Sequence, residues 1–324
     1  MTGTQDRPAV EAGPPSLLIA VFSTPDESPR PWVAIQRNRR SGAGRQHGPI
    51  MELIRALRSE GIEPRLYSSR VALDAAVRSR RPDQLLAIVA AGGDGTVLDL
   101  VNRHPTLPIA PLPLGTENLV ARELGIPRRD GSFVARMIAT GRRLAVDLGR
   151  IETAATGSAA GRFCIMLSCG FDAEVIRRAH EARRGHITRC HYLRPIAATL
   201  VGYRFPEVRV FVDDNPEPLV GGLAVVANLS RYALGLPLVP TARPDDGLLH
   251  VRVFPHRSRL QLLRDLSRVV LGSSERASGV QRAVGTRIRI ESDSPLPVQA
   301  DGDPAGCTPV ELTIEPSAGT LVVP

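Results

Sequence analysis

The sequence contains no lysine: all 41 of its Lys+Arg residues are arginine. Chemistry that needs a side-chain primary amine is therefore excluded. A Walker A loop requires Gly-Lys-Ser/Thr and is ruled out. The third-strand lysine of protein kinases and Schiff-base catalysis fall with it. The exclusive use of arginine reflects a coding bias, so the net charge of +8 carries little weight. It nevertheless suits anionic partners such as nucleotide phosphates and acidic lipid headgroups. Aromatics make up only 4%, which argues against base-stacking platforms and against a nucleic-acid partner. The four cysteines, Cys164, Cys169, Cys190 and Cys307, form no CxxC pair, so a reducing compartment is expected rather than a disulfide framework. His180, His186, Cys190 and His191 cluster in sequence, but their spacing fits no zinc template. No apolar run approaches the ~20 residues that span a bilayer. No basic region precedes the short "LLIAVF", so no signal peptide is expected, and the cytoplasm is the default location. Hydrolase signatures of the G-x-S-x-G and H-E-x-x-H kinds are also missing.

What is present alternates. Residues 1–30 read as a loose leader rich in Pro, Ser, Thr and Gly. "WVAIQ" (32–36) is a short apolar strand. Ile50, Leu53, Ile54 and Leu57 recur at helical spacing until Gly61. A second strand at "EPRLYSS" and a second helix at "VALDAAVRSR" follow. "QLLAIVA" (84–90) lacks polar alternation and reads as a strand buried on both faces. After the next helix, "LPIAPLPL" leads to "GTENLVARELGIP", where Thr116 can cap a helix that ends at Gly125. This alternation predicts a parallel α/β domain over residues 31–146. Beyond it, short strands parted by turn residues predict an antiparallel, β-rich domain over 147–315. A helical insert is expected at 172–203 and a further helix at 257–271. "LVGGLAVVANL" (219–229) reads as one buried strand. Residues 316–324 are expected as a C-terminal segment returning to the first domain. The cleft between two such domains is a favoured place for a site.

The stretch "AAGGDGTVLDLVNRH" (90–104) carries the clearest chemistry. Gly92, Gly93 and Gly95 follow a buried strand and open a helix. Without Cβ atoms they let backbone N–H groups approach a ligand, and the helix start adds its positive dipole end. Phosphate can be bound this way without lysine. Asp94 would repel phosphate unless it holds a cation or takes a proton, which points to Mg²⁺ or a general base in phosphoryl transfer. The spacing is not G-x-G-x-x-G, so the dinucleotide fingerprint is not met. Gly115 and Thr116, one βα unit later, could flank the same nucleotide.

"GGDGT" (92–96) followed by "PLGTENLVARELGIP" (113–127) resembles the diacylglycerol kinase catalytic-domain family, which includes bacterial lipid kinases and sphingosine kinases. "NRRSG" (38–42), "CGFDAEV" (169–175), "RPDDGLLHVRVF" (243–254) and "ADGDP" (300–304) resemble further family segments in the same order. The resemblance implies an N-terminal α/β domain with a parallel sheet like those of NAD kinase and phosphofructokinase, and a C-terminal β-sandwich. It implies ATP and Mg²⁺ as cofactors and a lipid hydroxyl at a membrane surface as acceptor, reached from the inner face. A homodimer is compatible with it. By position, Asn38 and Ser41 would line the nucleotide site, with Ser68 where the family has threonine. Gly92, Gly93, Asp94, Gly95, Thr96, Val97 and Leu98, with Gly115, Thr116 and Asn118, would hold phosphates and ribose. Asp246, with the carbonyls of Arg243 and Leu248, would bind a structural Mg²⁺, an ion suited by oxygen ligands. Asp303 stands at the position of the glutamate that activates the acceptor, and Asp94 would position metal or proton.

Three departures bear on activity. Arg39 replaces a proline, Leu119 replaces an aspartate, and Asp303 is one methylene shorter than glutamate. A misplacement of about 1 Å at a reacting group can cost ~100-fold in rate. NAD kinase, which shares GGDGT, and a nucleotide-binding relative without catalysis are the alternatives. Asp301-Gly302 and Asp245-Asp246-Gly247 also read simply as turns. Asp172 reads as the cap of the helix that follows it.

Overall fold

A computed structural model describes residues 30–38, 47–79, 84–155, 161–182, 193–255, 258–271 and 279–324. Its first part runs β1 (Trp32–Arg37), α1 (His47–Ser59), β2 (Glu63–Tyr67), α2 (Arg70–Ser79), β3 (Leu85–Gly92), α3 (Asp94–Arg103), β4 (Pro108–Pro113), α4 (Leu119–Glu123) and α5 (Gly131–Thr140). The strands lie side by side in the order β2-β1-β3-β4, all parallel. The uninterrupted apolar run of β3 places it between β1 and β4, where both of its faces are covered. α1 and α5 close one face through Leu53, Leu57, Val134 and Met137. Asp130 starts α5 by accepting the Phe133 amide at 2.7 Å, and Gly141 ends it in the left-handed region. α2 and α3 cover the other face, with Leu73, Leu100 and Val101 fully buried.

The second part comprises β5 (Arg143–Ala155), β6 (Gly161–Phe163), β7 (Met166–Gly170), α6 (Phe171–Glu181), α7 (Leu193–Gly202), β8 (Val208–Val212), β9 (Leu219–Gly221), β10 (Leu223–Ala227), β11 (Leu249–Phe254), α8 (Arg259–Val270), β12 (Gln281–Gly285), β13 (Arg287–Glu291), β14 (Pro297–Ala300) and β15 (Asp303–Val322). Here every neighbouring pair is antiparallel among the described strands. One run of neighbours is β12-β11-β10-β7-β14. The other links β9, β8, β13, β15, β5 and β6. Leu167, Val226 and Val251 from the first run pack with Val210, Ile288 and Leu312 from the second. This is sandwich packing, with alternate residues of each layer turned inward.

The two parts are continuous. β5 and β15 pair along their length, from Ala155 opposite Cys307 to Arg143 opposite Val322. The end of β15 then pairs in parallel with β4, Thr320 beside Pro108 and Leu321 beside Ile109. Two long strands thus join both halves in one continuous sheet. Two local expectations are corrected. The strand expected over 219–229 breaks at Gly222, whose amide donates to the Phe254 carbonyl at 2.9 Å. β9 pairs with β8 while β10 pairs with β7 and β11, so the chain must change layer there. The helix after Thr116 starts later, at Leu119, with Asn118 and not Thr116 at its N-cap.

Candidate active site

In an open α/β sheet, ligands bind beyond the carboxyl ends of the strands, where the strand order reverses. That reversal falls between β1 and β3, because β1 leads outward to β2 while β3 and β4 lie on the other side. Asn38 follows β1 there, Gly93 follows β3 and Gly115 follows β4. The amides of Leu114 and Gly115 donate to the Gly92 carbonyl at 2.8 and 3.1 Å, which ties the two glycine turns together. Their backbones nearly touch: a Cβ on Gly115 would lie 2.6 Å from the Gly93 Cα. Packing therefore accounts for the absence of a side chain at Gly115. It does not account for Gly95, whose Cβ would meet nothing within 4 Å. Gly95 lies in the first turn of α3, where helix geometry leaves N–H groups without intrahelical partners and favours an anion. A side chain there would project into open space that a phosphate can fill.

The remaining expected nucleotide residues divide into groups. Asn38 Nδ2 donates to Thr96 Oγ1 at 3.3 Å, joining the ends of β1 and α3. Thr96 and Val97 are buried, so any ligand would meet their backbone rather than their side chains. Leu98 is half-buried, whereas Thr116 is exposed. Ser68, exposed just past β2, sits one strand outward from β1. Ser41, like Arg39, lies outside the described residues. Asn118 is buried with φ 52°. Its Oδ1 accepts the Gly115 amide and its Nδ2 donates to the Gly115 carbonyl, both at 2.9 Å. Asn118 thus closes the second glycine turn. Leu119 is buried in the core shared by the two halves, beside Val120 and Cys164.

Asp94 and Asp301 bring the two halves to one place. Asp94 Oδ1 accepts the Val120 amide at 3.0 Å, reaching from the start of α3 to the start of α4. Burial pushes its pKa up, and the amides of Leu119 and Val120 partly offset this. Asp301 forms the β14–β15 turn with Gly302, with φ values of 50° and 87°. Positive φ at both residues marks the two-residue hairpin turn that Asp-Gly favours. The Asp301 carboxylate accepts three backbone amides: Cys164 at 2.8 Å, and Ile165 and Met166 at 2.9 Å. Burial nevertheless raises its pKa to about 6 against those amides, and the charge of Asp94 adds to the rise. The Cys164 thiol between them is pushed well above its ordinary range by burial and then by both carboxylates. A carboxyl group held near neutrality opposite a glycine turn can exchange a proton there.

Asp301 was passed over in the sequence as a turn residue. The D-G pair indicates the turn, but nothing local signals amides 135 to 137 positions away. Asp303 instead is exposed and pairs with Ala300 at the hairpin mouth.

In the loop expected to hold a structural Mg²⁺, protein groups fix the Asp246 side chain. Asp246 Oδ1 accepts the Leu248 amide at 3.0 Å, and His250 Nε2 lies 2.9 Å from Oδ2. Gly247 donates its amide to Asp147 Oδ2 at 2.6 Å. The Arg243 guanidinium faces Asp245 at 3.5 Å. A histidine on one oxygen of a carboxylate orients it without entering a metal's own shell, so Asp246 keeps an oxygen donor of the kind Mg²⁺ takes, and the groups expected from Arg243 and Leu248 are backbone carbonyls. The carboxylate of Asp94 is an oxygen donor of the kind that meets a nucleotide-borne magnesium ion. Asp172 is no helix cap: Gly170 holds that position on α6, and Asp172 Oδ2 accepts from the hydroxyls of Ser168 and Tyr232.

Comparison with known proteins adds to this geometry. Residues 33–151 match the diacylglycerol kinase catalytic domain, and residues 165–323 match the YegS C-terminal NAD kinase beta sandwich-like domain. A protein of Mycobacterium tuberculosis named diacylglycerol kinase is 30% identical over 241 residues, 74% of this chain and 77% of that protein. A diacylglycerol kinase of Staphylococcus carnosus is 25% identical over 277 residues, 81% of this chain and 85% of that protein. A crystal structure of a diacylglycerol kinase from Bacillus anthracis superposes with a TM-score of 0.63 at 16% identity. It covers 90% of this chain and 96% of that one, and at that identity it speaks for the fold.

Proposed function

This chain belongs to the diacylglycerol kinase family of lipid kinases, and from that premise we propose that it transfers the terminal phosphoryl group of ATP to a lipid hydroxyl. The acceptor is a diacylglycerol-like or sphingoid-like alcohol; the names of the relatives make diacylglycerol the first to try. The observation that carries the reading is the meeting of the Asp94 and Asp301 turns, one from each half of the molecule.

ATP lies beyond the carboxyl ends of β1, β3 and β4, its phosphates facing the amides at the start of α3 and the bare Gly95. Magnesium brought with the nucleotide would supply positive charge against the phosphates, with Asp94 as the carboxylate at the glycine turn. We assign the base to Asp301 rather than to Asp303, because Asp301 is half-buried and held by three amides within the field of Asp94, and its pKa is raised to about 6. Its carboxylate takes the proton from the acceptor hydroxyl as that oxygen bonds to the γ-phosphorus. The bond from phosphorus to the β–γ bridging oxygen breaks, and ADP departs with the electron pair. Asp94, bound to Val120, keeps the two glycine turns in register while this happens. Among the described residues no helix is long and apolar enough to cross a membrane, so a bilayer-held acceptor would be met at the membrane surface.

The test is a transfer assay with γ-labelled ATP and magnesium, offered either detergent-dispersed total lipid extract or NAD⁺. Label is expected in a lipid species. Label in NAD⁺, or in neither, would overturn the reading.

A further inference from the structure

A chain of hydrogen-bonded groups with buried Ser168 and Gln299 at its centre leads away from the Asp301 turn, and it has one direction. The Gly302 amide donates to Gln299 Oε1 at 2.9 Å. Gln299 Nε2 donates to Ser168 Oγ at 2.5 Å, and the Ser168 hydroxyl donates to Asp172 Oδ2 at 2.5 Å. The Tyr232 hydroxyl donates to the same carboxylate oxygen at 3.1 Å, and the Ala173 amide donates to Oδ1 at 2.8 Å. Ser168 is 0% exposed and Gln299 4%, so water cannot replace the bond between those two. Hydrogen bonds in such surroundings are electrostatically strong, and an unmet one is costly.

The direction follows from what each group can do. An ionised carboxylate only accepts, whereas a hydroxyl donates once and accepts elsewhere. Ser168 therefore gives its proton to Asp172 and presents its oxygen to Gln299. That turns Nε2 of Gln299 toward Ser168 and leaves Oε1 for the Gly302 amide. If the carboxylate became a donor to Ser168, the order would reverse. Nε2 would then face the Gly302 N–H, donor against donor. The amide at stake belongs to the peptide leading directly out of Asp301. Three amides hold the Asp301 carboxylate from the front; Gln299 holds the peptide behind it. The far end of the chain reaches the other half of the molecule. Tyr232 sits on a loop whose Ser230 donates to Glu123 of α4 at 2.6 Å, with Arg231 3.6 Å from the same carboxylate.

We propose that Asp172 is a positioning residue for the Asp301 base, acting through Ser168 and Gln299 to set the orientation of the Asp301–Gly302 peptide. The proposal rests on the reading of Asp301 as the proton acceptor. No proton travels along this chain; its links only fix which way each donor points.

The test compares Asp172→Asn, Gln299→Leu and the double variant in the assay with γ-labelled ATP and detergent-dispersed total lipid extract. Asp172→Asn keeps the size of the side chain but cannot accept at both oxygens. Each single variant should lower kcat about ten- to hundredfold, the scale of a displaced reacting group, with KM for ATP unchanged. The double variant should be no slower than Gln299→Leu, because the link is already cut; coupled sites are non-additive in this way. Effects that multiply, or a matching rise in KM for ATP, would overturn the proposal. If Asp172→Asn does not fold, Ser168→Ala breaks the same chain by removing one hydroxyl. It must then reproduce the loss in kcat, and unchanged turnover would sink the idea. Asp301→Asn separates the two levels. Full turnover in that variant removes the base assignment and the positioning chain together. An inactive Asp301→Asn with independent effects at Asp172 and Gln299 removes only the chain.

Discussion

The turns at Asp94 and Asp301 share an Asp-Gly pair and differ in what closes over them. Asp94 opens a helix after a parallel strand, and its carboxylate reaches sideways to the amides of Leu119 and Val120 on the neighbouring segment. Asp301 turns an antiparallel hairpin, and its carboxylate is capped by three successive amides from β7 and the residues before it. Three amide bonds would ordinarily hold a carboxylate below its usual range. Burial outweighs them here, and the group sits at about 6. The Asp94 turn is built as a joint between two glycine loops. The Asp301 turn holds its carboxyl above the ordinary carboxylate range. Local turn chemistry is common to both, and the surrounding half of the molecule makes the difference.

The largest effect that would sharpen this contrast is at the base. Asp301→Asn should lower turnover about 1,000-fold, within the range a general base contributes, while calorimetry still detects ATP. Asp303→Asn, on an exposed side chain, should stay within about twofold, as surface substitutions usually do. Equal losses at the two positions would erase the distinction between the half-buried and the exposed aspartate.

The glycines should give a smaller, crossed pattern. Gly115→Ala drives a methyl to within 2.6 Å of the Gly93 Cα and should destabilise the fold by about 1–3 kcal/mol, the usual cost of overpacking. Gly95→Ala meets nothing and gains up to about 1 kcal/mol of helix propensity. ATP affinity in Gly95→Ala should nevertheless drop about tenfold, or ~1.4 kcal/mol. Thermal melts and calorimetry on the pair decide the matter. A Gly95→Ala protein that binds ATP normally would mean the phosphates lie elsewhere.

The smallest effect is in pH. The folded-state pKa of Asp301 lies above its ordinary value, so between 3.8 and about 6 the unfolded chain has lost a proton that the folded chain keeps. Stability should therefore fall as pH rises through that window. Turnover should fall in the opposite direction, on the acid side of about pH 6, as the base becomes protonated. Melting curves across the window should show a shallower slope in Asp301→Asn, the remainder coming from Asp94 and Asp172, whose pKa values burial also raises, and an undiminished slope would place its origin away from Asp301.

Much of the frame was legible in the residues because periodicity is a local property. The apolar run of β3 indicated a strand covered on both faces, and the spacing of Ile50, Leu53 and Leu57 marked the face α1 buries. The glycine turn at 92–95 was legible for the same reason, since its chemistry is contained in four adjacent residues. Asn118 was read as a nucleotide ligand and proves to close its own turn, because a left-handed N-cap depends on where the preceding glycine packs. The break at Gly222 was missed because it depends on which strands stand on either side. The pairing of Asp246 with His250 is not legible in the sequence because it depends on how the loop folds back on β11. Asp301 was missed because its environment arrives from residues 164–166.

The sequence by itself determined the strand and helix pattern, the two glycine turns and the excluded amine chemistry, all of which follow from residue type and near-neighbour spacing. Tertiary structure decided which of several Asp-Gly pairs becomes a half-buried carboxyl near neutrality and which remains a joint or a loop clasp. Burial, amide capping and the field of a second carboxylate act through space, and residues far apart along the chain supply them.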